Sequence, residues 1–432
     1  MQFPDHIDYK LGGEDIELPR MFKARQLFSR ERLDDIEGTV KKEIAKLKLP
    51  DLKGKRIALT AGSRGVANQA RILKAIADNL KALDAKPFIV PGMGSHGGAT
   101  AEGQLELING YGITESYCGV PILSSMDTVK LGRTASGFDV YCDKNAAEAD
   151  YILPVHRIKP HTDFKDEVES GPCKMLVIGL GKHRGASSIH NLGFSVFGKL
   201  IPEAAQVFFD TGKVLAAVGV VENAYDETLI VEAIETRAII EREKELLVKA
   251  KDVMARFYMD AIDVLVIEEI GKNISGAGMD SNVIGTPVSG EPGFRSIPIR
   301  RIAVLGISEL SHGNATGLGC AHLVTIDFMK QLDLASTYIN GITSRVIEGA
   351  RIPLVANSDR EAIKIGVFCG MGIDQDNPKI VQIINTLILG DILMSEAYLP
   401  GIKEDRRFEI LSEPAPMQFD AKGRLARLPR EH

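Results

Sequence analysis

Short apolar runs alternate with longer amphipathic segments along most of the chain, and this alternation limits the possible folds more than any other feature. Residues 56–62 (RIALTAG) and 87–92 (PFIVPG) are typical of buried strands, whereas residues 68–85 repeat apolar side chains at helical spacing. Further apolar runs follow: DYILPV, KMLVIGLG, LAAVGVV, DVLVIEEIG, RIAVLGI and IGVFCGM. Apolar strands separated by helices indicate sheets covered on both faces. We therefore predict an α/β fold with mainly parallel sheets.

The length of the chain predicts two domains. Its 432 residues exceed what one hydrophobic core usually supports. A charged helical segment at 235–258 ends just before a new strand begins at Asp263. We place the domains at 1–260 and 261–432 and expect an active cleft between them. The last 30 residues, rich in proline and arginine, are expected to pack back on the first domain.

Composition and charge exclude several classes of partner. The hydrophobic and charged fractions, 44% and 25%, are ordinary for a globular protein, and the net charge of −6 argues against a nucleic-acid footprint. No apolar run is long enough to span a bilayer, and the polar N-terminus is not typical of a signal peptide. Five scattered cysteines without a CxxC pair indicate reduced thiols. We predict a soluble cytoplasmic protein with no nucleic-acid or membrane partner; the sequence leaves its oligomeric state open.

Polar side chains gather in four loops that follow predicted strands. These loops are AGSRG, PGMGSHGGAT, HRIKPHTDF and GLGKHRGAS, and they carry Arg64, His96, His156, His161, Lys182 and His183. Lys174 opens the predicted strand that leads into the fourth of these loops, and His190 follows that loop. Because function in open α/β sheets gathers at the carboxyl ends of strands, these loops predict one site.

Each histidine also has a plainer interpretation. His96 lies between glycines that let the backbone approach a ligand, but it could instead cap the next helix, for which Thr100 is a plausible N-cap. His161 follows a proline that keeps its backbone extended, so it belongs either to the site or to a surface loop. His190 could be a metal ligand, a base or a buried structural residue. His183 lies seven residues before His190, which would place both on one helix face, although GKHRGASS resembles a turn.

The segment from His161 to Lys174 joins an acidic loop to an apolar run. In one interpretation, the aliphatic part of Lys174 packs against the core and its amine is in solvent. In the other, its amine is desolvated and has a lowered pKa, which suits covalent chemistry or anion binding. The acids of the loop are Asp163, Asp166, Glu167 and Glu169, and such a run predicts a solvated face.

Standard catalytic motifs do not account for this set. The chain has no phosphate loop, no GxGxxG that opens a helix after a strand, no HExxH and no GxSxG elbow. Without HExxH or paired CxxC, a conventional zinc site has no support in the sequence.

The ordered set of motifs resembles the nickel-dependent lactate racemase family, most strongly over residues 56–190. That family shows an arginine turn after a strand, a G-x-H loop followed by threonine, and an AAEAD segment leading into a strand. A histidine, a glycine-preceded lysine and a second histidine follow. Here these features stand as AGSRG, GSHGGAT, NAAEADYILPV, His161, SGPCK and SSIH, and Lys174 and His190 are 16 residues apart, as in that family.

The resemblance implies a nickel pincer nucleotide, the nickel complex of pyridinium-3-thioamide-5-thiocarboxylic acid mononucleotide, bound covalently at Lys174. It implies that His190 is the protein ligand to nickel and that His96 and His161 are the acid/base pair. Ser63, Arg64 and Lys272 would contact the cofactor, and Arg64 alternatively the substrate carboxylate. Such a protein also depends on cofactor maturation enzymes. The implied reaction is racemisation or epimerisation of a 2-hydroxy acid by hydride abstraction and return.

Departures from the family pattern bear on the substrate. The arginine turn lacks the neighbouring histidine–threonine–proline, and the acidic loop before Lys174 is longer than in lactate racemases. Where that family has a glutamine and a lysine, EIGKNISGAGMDSN offers Lys272, Asn273, Asp280 and Asn282. We expect a larger or more polar 2-hydroxy acid than lactate, such as an aldonic acid. Two alternatives stay open: a divalent-metal enzyme that uses His96, His161 and His190 without an organic cofactor, and a non-catalytic cofactor-binding homologue.

Overall fold

A computed structural model describes residues 4–8, 16–63 and 65–430 of the chain. The chain divides into two compact units. Residues 29–254 form one, which we call the histidine unit; residues 1–28 and 255–432 form the other, which we call the composite unit. Both mix helices with sheets whose central strand pairs are parallel, so the predicted α/β class is confirmed.

Strands and helices alternate through both units. The strands are β1 (Arg20–Gln26), β2 (Arg56–Ala61), β3 (Lys86–Pro91), β4 (Thr128–Arg133), β5 (Asp139–Asp143), β6 (Tyr151–Leu153), β7 (Val155–Arg157), β8 (Ala216–Glu222), β9 (Thr228–Glu235), β10 (Ile262–Ile267), β11 (Ile299–Val304), β12 (Leu323–Thr325), β13 (Leu354–Ala356), β14 (Ile380–Ile383), β15 (Asp391–Ser395), β16 (Phe408–Ile410) and β17 (Ala415–Pro416). The helices are α1 (Ile36–Lys46), α2 (Gln69–Lys81), α3 (Ala101–Gly110), α4 (Glu115–Cys118), α5 (Lys144–Ala147), α6 (Pro172–Lys174), α7 (Lys182–His190), α8 (Phe197–Asp210), α9 (Ile239–Val253), α10 (Ser281–Ile284), α11 (Ile326–Gln331), α12 (Leu334–Ser344), α13 (Asp359–Phe368) and α14 (Leu399–Ile402).

The histidine unit is built on short sheets. In one of them β2 lies between β3 and β6, and all three strands are parallel. In another, β8 pairs in parallel with β7 and antiparallel with β9. Helix α2 buries Ile72, Ile76 and Leu80 at helical spacing, and these side chains join Ile57 and Leu59 of β2 in the core. This packing fixes β2 and β3, whose carboxyl ends lead into the candidate site.

The composite unit has one nine-stranded sheet with the order β13-β12-β11-β10-β14-β15-β1-β16, and β17 pairs with β1. The strands from β13 to β14 are parallel, whereas β15 and β1 are antiparallel to their neighbours. Val264 and Val266 of β10 pack with Ile363 of α13 in its core.

The predicted domain boundaries need one correction. The first domain was placed at 1–260, but residues 1–28 belong to the composite unit, and the change between units falls after residue 254. The physical reason is strand pairing, because β1 pairs with β15 in the register Met21↔Ser395. The C-terminal tail also packs in the composite unit, where Leu425 joins the core and β17 pairs with β1.

Local predictions were right for most elements and wrong for three. The predicted strand KMLVIGLG is the end of α6 followed by a π-helix at Met175–Gly179, and IGVFCGM begins within α13. GKHRGASS is not a turn, because α7 carries it. A short apolar run has the same composition in a buried helix as in a strand, which explains the first two errors.

Two further predictions concern the cysteines, expected to be reduced, and membrane spans, expected to be absent. All five cysteines are free thiols, and Cys369 is the exposed one. Across 4–8, 16–63 and 65–430, no helix is both long enough and apolar enough to cross a membrane.

Candidate active site

His96 lies in the loop between β3 and α3, beside the loop that follows β2. Its ring Nδ1 is hydrogen-bonded to the Ser63 hydroxyl, and the Tyr111 hydroxyl donates to the Ser63 carbonyl at 2.8 Å. The capping interpretation of His96 does not hold, because Thr100 caps α3 and accepts the Gly103 N–H at 3.1 Å. His96 therefore does not cap α3, and the structure brings it together with Ser63, another predicted site residue.

His161 is fixed by the loop that follows it. Its side chain is only 12% exposed, its backbone N–H donates to Glu169 Oε2 at 2.6 Å, and its Nδ1 accepts the Asp163 backbone N–H at 3.0 Å. A mobile surface histidine would lack these contacts. Because a backbone N–H can only donate, this Nδ1 carries no proton, and the neutral ring holds its proton on Nε2. His161 thus presents an N–H donor from Nε2.

The acidic loop is not uniformly a solvated face. Asp166 and Glu167 are exposed, as predicted, but Glu169 is fully buried, so the prediction is wrong for that residue. Its carboxylate lies 2.9 Å from Lys165 Nζ and 2.6 Å from Lys251 Nζ. Two cations and one backbone N–H compensate the buried charge, as burial of a carboxylate requires. Glu169 therefore holds the backbone of His161 in place.

An aromatic cluster of Phe164, Phe194 and Phe197 connects His161 to His190. The His161 ring lies 4.5 Å from the ring of Phe164 by centroids, and Phe164 meets Phe197 edge-on at 5.4 Å. His190 contacts Phe197 and Phe194 edge-on, at 5.1 and 5.4 Å. The cluster gives both imidazoles an apolar wall that excludes water from one side.

The charge of Lys174 acts on three histidines at once. Burial, and after it Lys174, lowers the pKa of His190 to about 4 and that of His156 to about 3. The same two causes, in the same order, hold the pKa of His161 well below its usual value. Lys174 is thus close enough to all three rings for its charge to lower their pKa values. All three imidazoles are neutral near pH 7, the form that binds metals or accepts protons.

The segment after Lys174 approaches the His96 loop closely. The π-helix Met175–Gly179 follows Lys174 directly, and π-helical turns are frequent at functional sites. Gly94 donates its N–H to the Gly179 carbonyl at 3.1 Å. A Cβ added at Gly92 would lie 2.4 Å from Met175 Sδ, so a larger residue there would require Met175 to move. The loop of His96 and the segment of Lys174 are therefore one packed structure.

A buried carboxyl supports the backbone just before Lys174. Glu243 of α9 is fully buried and accepts the Cys173 N–H at 2.9 Å. A Cβ added at Gly171 would lie 2.4 Å from Glu243 Oε1, so this position also requires glycine. Burial raises the pKa of Glu243 to about 7, although bonds from the Cys173 backbone and thiol act in the opposite direction.

Replacing Glu243 by glutamine is expected to change how stability depends on pH. Because the folded-state pKa lies above the usual 4.5, the folded state binds this proton more tightly, and its stability falls as pH rises from 4.5 to about 7. The fall for one such group approaches about 3 kcal/mol. Urea unfolding between about pH 5 and pH 8 should show a flatter dependence in Glu243→Gln. Glu241→Gln, an exposed change on the same helix, should match the wild type. Equal pH slopes in Glu243→Gln and wild type would contradict the assignment.

Two further residues were predicted to contact the cofactor. Arg64 lies outside the described residues. Lys272 belongs to the composite unit, where its backbone N–H donates to Ser311 Oγ at 3.0 Å and its Nζ to the Gly276 carbonyl at 3.2 Å. Of the other histidines, His183 is exposed on α7, while His156 Nδ1 is buried without a hydrogen-bond partner among the described residues.

Residues 35–197 match the model of the family described as lactate racemase N-terminal domain. This segment of the chain is lactate-racemase-like. The matched segment includes Ser63, His96, His161, Lys174 and His190, whereas Lys272 lies beyond it. The chain matches no curated protein.

Solved structures with a similar fold include a crystal structure of a protein from Thermotoga maritima. It is 13% identical, with a TM-score of 0.50 over 75% of this chain and 84% of that chain, and this likeness supports the fold alone. Another is the lactate racemase apoprotein from Thermoanaerobacterium thermosaccharolyticum, which is 12% identical, with a TM-score of 0.47 over 81% of this chain and 95% of that chain.

Several residues of the histidine unit were missed in the sequence. The phenylalanines of the aromatic cluster carry no functional signal of their own, because phenylalanines at such spacing usually face a core. Glu169 was counted with its solvated neighbours, and Glu243 lies in a helix rich in surface charge. A usable signal was present for Glu169, which is followed directly by the buried, glycine-containing segment Ser170–Cys173.

Proposed function

We propose that the chain is a racemase or epimerase of a 2-hydroxy acid that works with a nickel pincer nucleotide tethered to Lys174. The arrangement of Lys174, His161 and His190 carries this proposal. One amine influences both imidazoles, and the aromatic cluster shields both rings. A lysine and a histidine placed in this way suit a tether and a ligand on one group.

The residues present fit this group. His190 is neutral near pH 7, so its imidazole is free to donate a lone pair to a metal, and imidazole suits nickel. Lys174 ends α6 and is half-buried beside the fully buried π-helix, so its backbone is fixed where a tethered group must be held. Gly92 and Gly94 keep the opposing loop free of side chains where it meets that helix.

When bound, such a group supplies hydride acceptance and return at C2 of the substrate. The chain supplies proton transfer at the substrate hydroxyl. We assign His96 as the base of the resting state, because the Ser63 hydroxyl can accept a hydrogen bond from Nδ1–H, and in that tautomer the lone pair of the ring is on Nε2. His161 presents its Nε2–H to the oxygen of the substrate hydroxyl from another position. To act as a base at Nε2, His161 must move its proton to Nδ1 and give up the bond from Asp163.

The proposed substrate is larger or more polar than lactate. The polar sequence EIGKNISGAGMDSN, which stands where the family has a glutamine and a lysine, supports this choice. An aldonic acid is our first candidate. The proposal also requires maturation enzymes that build the cofactor, and we place the protein with them in the cytoplasm.

A panel of 2-hydroxy acids labelled with deuterium at C2 tests the proposal. Protein produced in a host that makes the cofactor is incubated with single enantiomers of lactate and of several aldonic acids, and the change in configuration is followed. We expect inversion at C2 with deuterium retained, because hydride leaves and returns on the same carrier. Inversion with complete exchange of deuterium into solvent would contradict hydride transfer.

The same protein distinguishes the two alternatives. Among the described residues, no three His, Cys, Asp or Glu side chains are placed to hold one metal ion. Metal-dependent turnover by protein that carries no organic adduct would nevertheless favour the divalent-metal enzyme. An adduct without turnover on the whole panel would favour a cofactor-binding homologue.

A further inference from the structure

We propose that Lys182 is a positioning residue that fixes the position of His96 relative to α7, the helix that ends at His190. This inference rests on the function proposed above, because it assigns to Lys182 the alignment of a base with a cofactor ligand. Lys182 begins α7, and His190 ends that helix. Its side chain is fully buried.

The ammonium of Lys182 has three oxygen neighbours from three separate elements. Its Nζ donates to the Pro91 carbonyl at the end of β3 and to Gln104 Oε1 of α3 at 3.0 Å. It also lies 3.3 Å from Asp143 Oδ2 at the end of β5. Two hydrogen-bond acceptors and one carboxylate surround the ammonium, and the buried aspartate balances its charge.

Gln104 carries the effect of Lys182 to His96. The Gln104 side chain is fully buried, and its Nε2 donates to the Gly94 carbonyl at 2.9 Å and to the His96 carbonyl at 3.2 Å. The amide oxygen of Gln104 faces Lys182, so the orientation of this amide is fixed. One chain of hydrogen bonds therefore runs from the first residue of α7 to the backbone of His96.

The backbone of Lys182 shows that a side chain is needed at this position. Its φ is 52°, in the left-handed region where glycine is the usual residue. A lysine that is fully buried on such a backbone is held there by its side-chain contacts. If the position served only to turn the chain into α7, glycine would serve better.

Replacing Lys182 by methionine tests the inference, because methionine keeps the length and apolar stem but removes every N–H. We expect the loaded protein to keep its adduct at Lys174 and its nickel, to keep its KM, and to lose about 10²-fold in kcat, as misplacement of a reacting group does. Amide hydrogen exchange over residues 93–98 should become faster than in the wild type. Lys213→Met removes a partly buried lysine that donates to the Ala147 and Ala149 carbonyls, and it should leave kcat, KM and that exchange unchanged.

A second variant keeps the test independent of the folding of the first. Gln104→Met retains Lys182 but breaks the connection to His96, and it should lose kcat and exchange protection to a similar extent, with no further loss in the double variant. Loss of adduct, nickel and kcat together in both variants would show a general structural role and overturn the inference. Unchanged kcat and unchanged exchange would also overturn it. If the wild type converts no hydroxy acid, the proposed function fails, while exchange over residues 93–98 still decides the role of Lys182.

Discussion

Lys174→Ala is expected to abolish racemisation completely and to leave the protein without a covalent adduct. We assign the cofactor tether to Lys174 alone, so the loss of Lys174 removes the hydride carrier and abolishes turnover. The fold should persist, because the Lys174 side chain is half-buried and the buried contacts of this segment come from Met175 and Cys173. Intact mass and the rate of change of configuration on the accepted substrate measure the two effects.

Lys159→Ala is the matched control for this variant. Lys159 is another cation that lowers the pKa of His156 and His161, but it is not proposed to bind the cofactor covalently. Its alanine variant should keep the adduct and most of the activity. Residual turnover in Lys174→Ala above that of the host background would mean that the tether is elsewhere.

His96→Ala and His161→Ala are each expected to lower kcat by roughly 10²- to 10⁴-fold, the usual effect of removing a general acid or base. Because the equilibrium constant ties the two directions together, steady-state turnover should fall in both directions in either variant. Single-turnover experiments on loaded protein separate the roles. Hydride abstraction from one enantiomer should fail mainly in His96→Ala, and from the other mainly in His161→Ala. In single turnovers of the wild type, hydride abstraction from the enantiomer that relies on His161 should be the slower of the two, because the ring must first release the Asp163 N–H.

His183→Ala is the control for the histidine variants. It removes an exposed imidazole from the same helix that carries His190 and should have near wild-type rates. Near wild-type rates in both His96→Ala and His161→Ala would remove these residues from the mechanism. Equal losses in both single-turnover directions in each variant would contradict the assignment of one base to each enantiomer.

The alternation of apolar runs and amphipathic segments was enough to predict the fold class, because it reflects local burial. Long-range pairing was not predictable in this way. β1 joins β15 across more than 360 residues, and nothing in the local pattern of RMFKARQ indicates its partner. MLVIG looked like a strand because every residue in it is buried, and full burial removes the periodicity that separates a helix from a strand.

The candidate site was predictable where residue type and position together indicate chemistry. His96, His161, Lys174 and His190 were identified from loops, spacing and resemblance, and the described structure places them in one unit. The roles of their supporting residues were not identified. Glu169 looks like a surface charge in the sequence, and Lys182 was placed in a site loop without a role. Only their contacts show that each is buried and bonded to the backbone of a site loop or to a neighbouring element.

Intact mass of the wild-type protein from a host that makes the cofactor is the decisive test of a nickel cofactor tethered at Lys174. We expect a mass increase of a few hundred daltons, one nickel per chain, and a modified tryptic peptide that contains Lys174. The adduct should be absent from the same protein made in a host without the maturation enzymes. Unmodified Lys174 in protein that turns over a 2-hydroxy acid would rule out the tether.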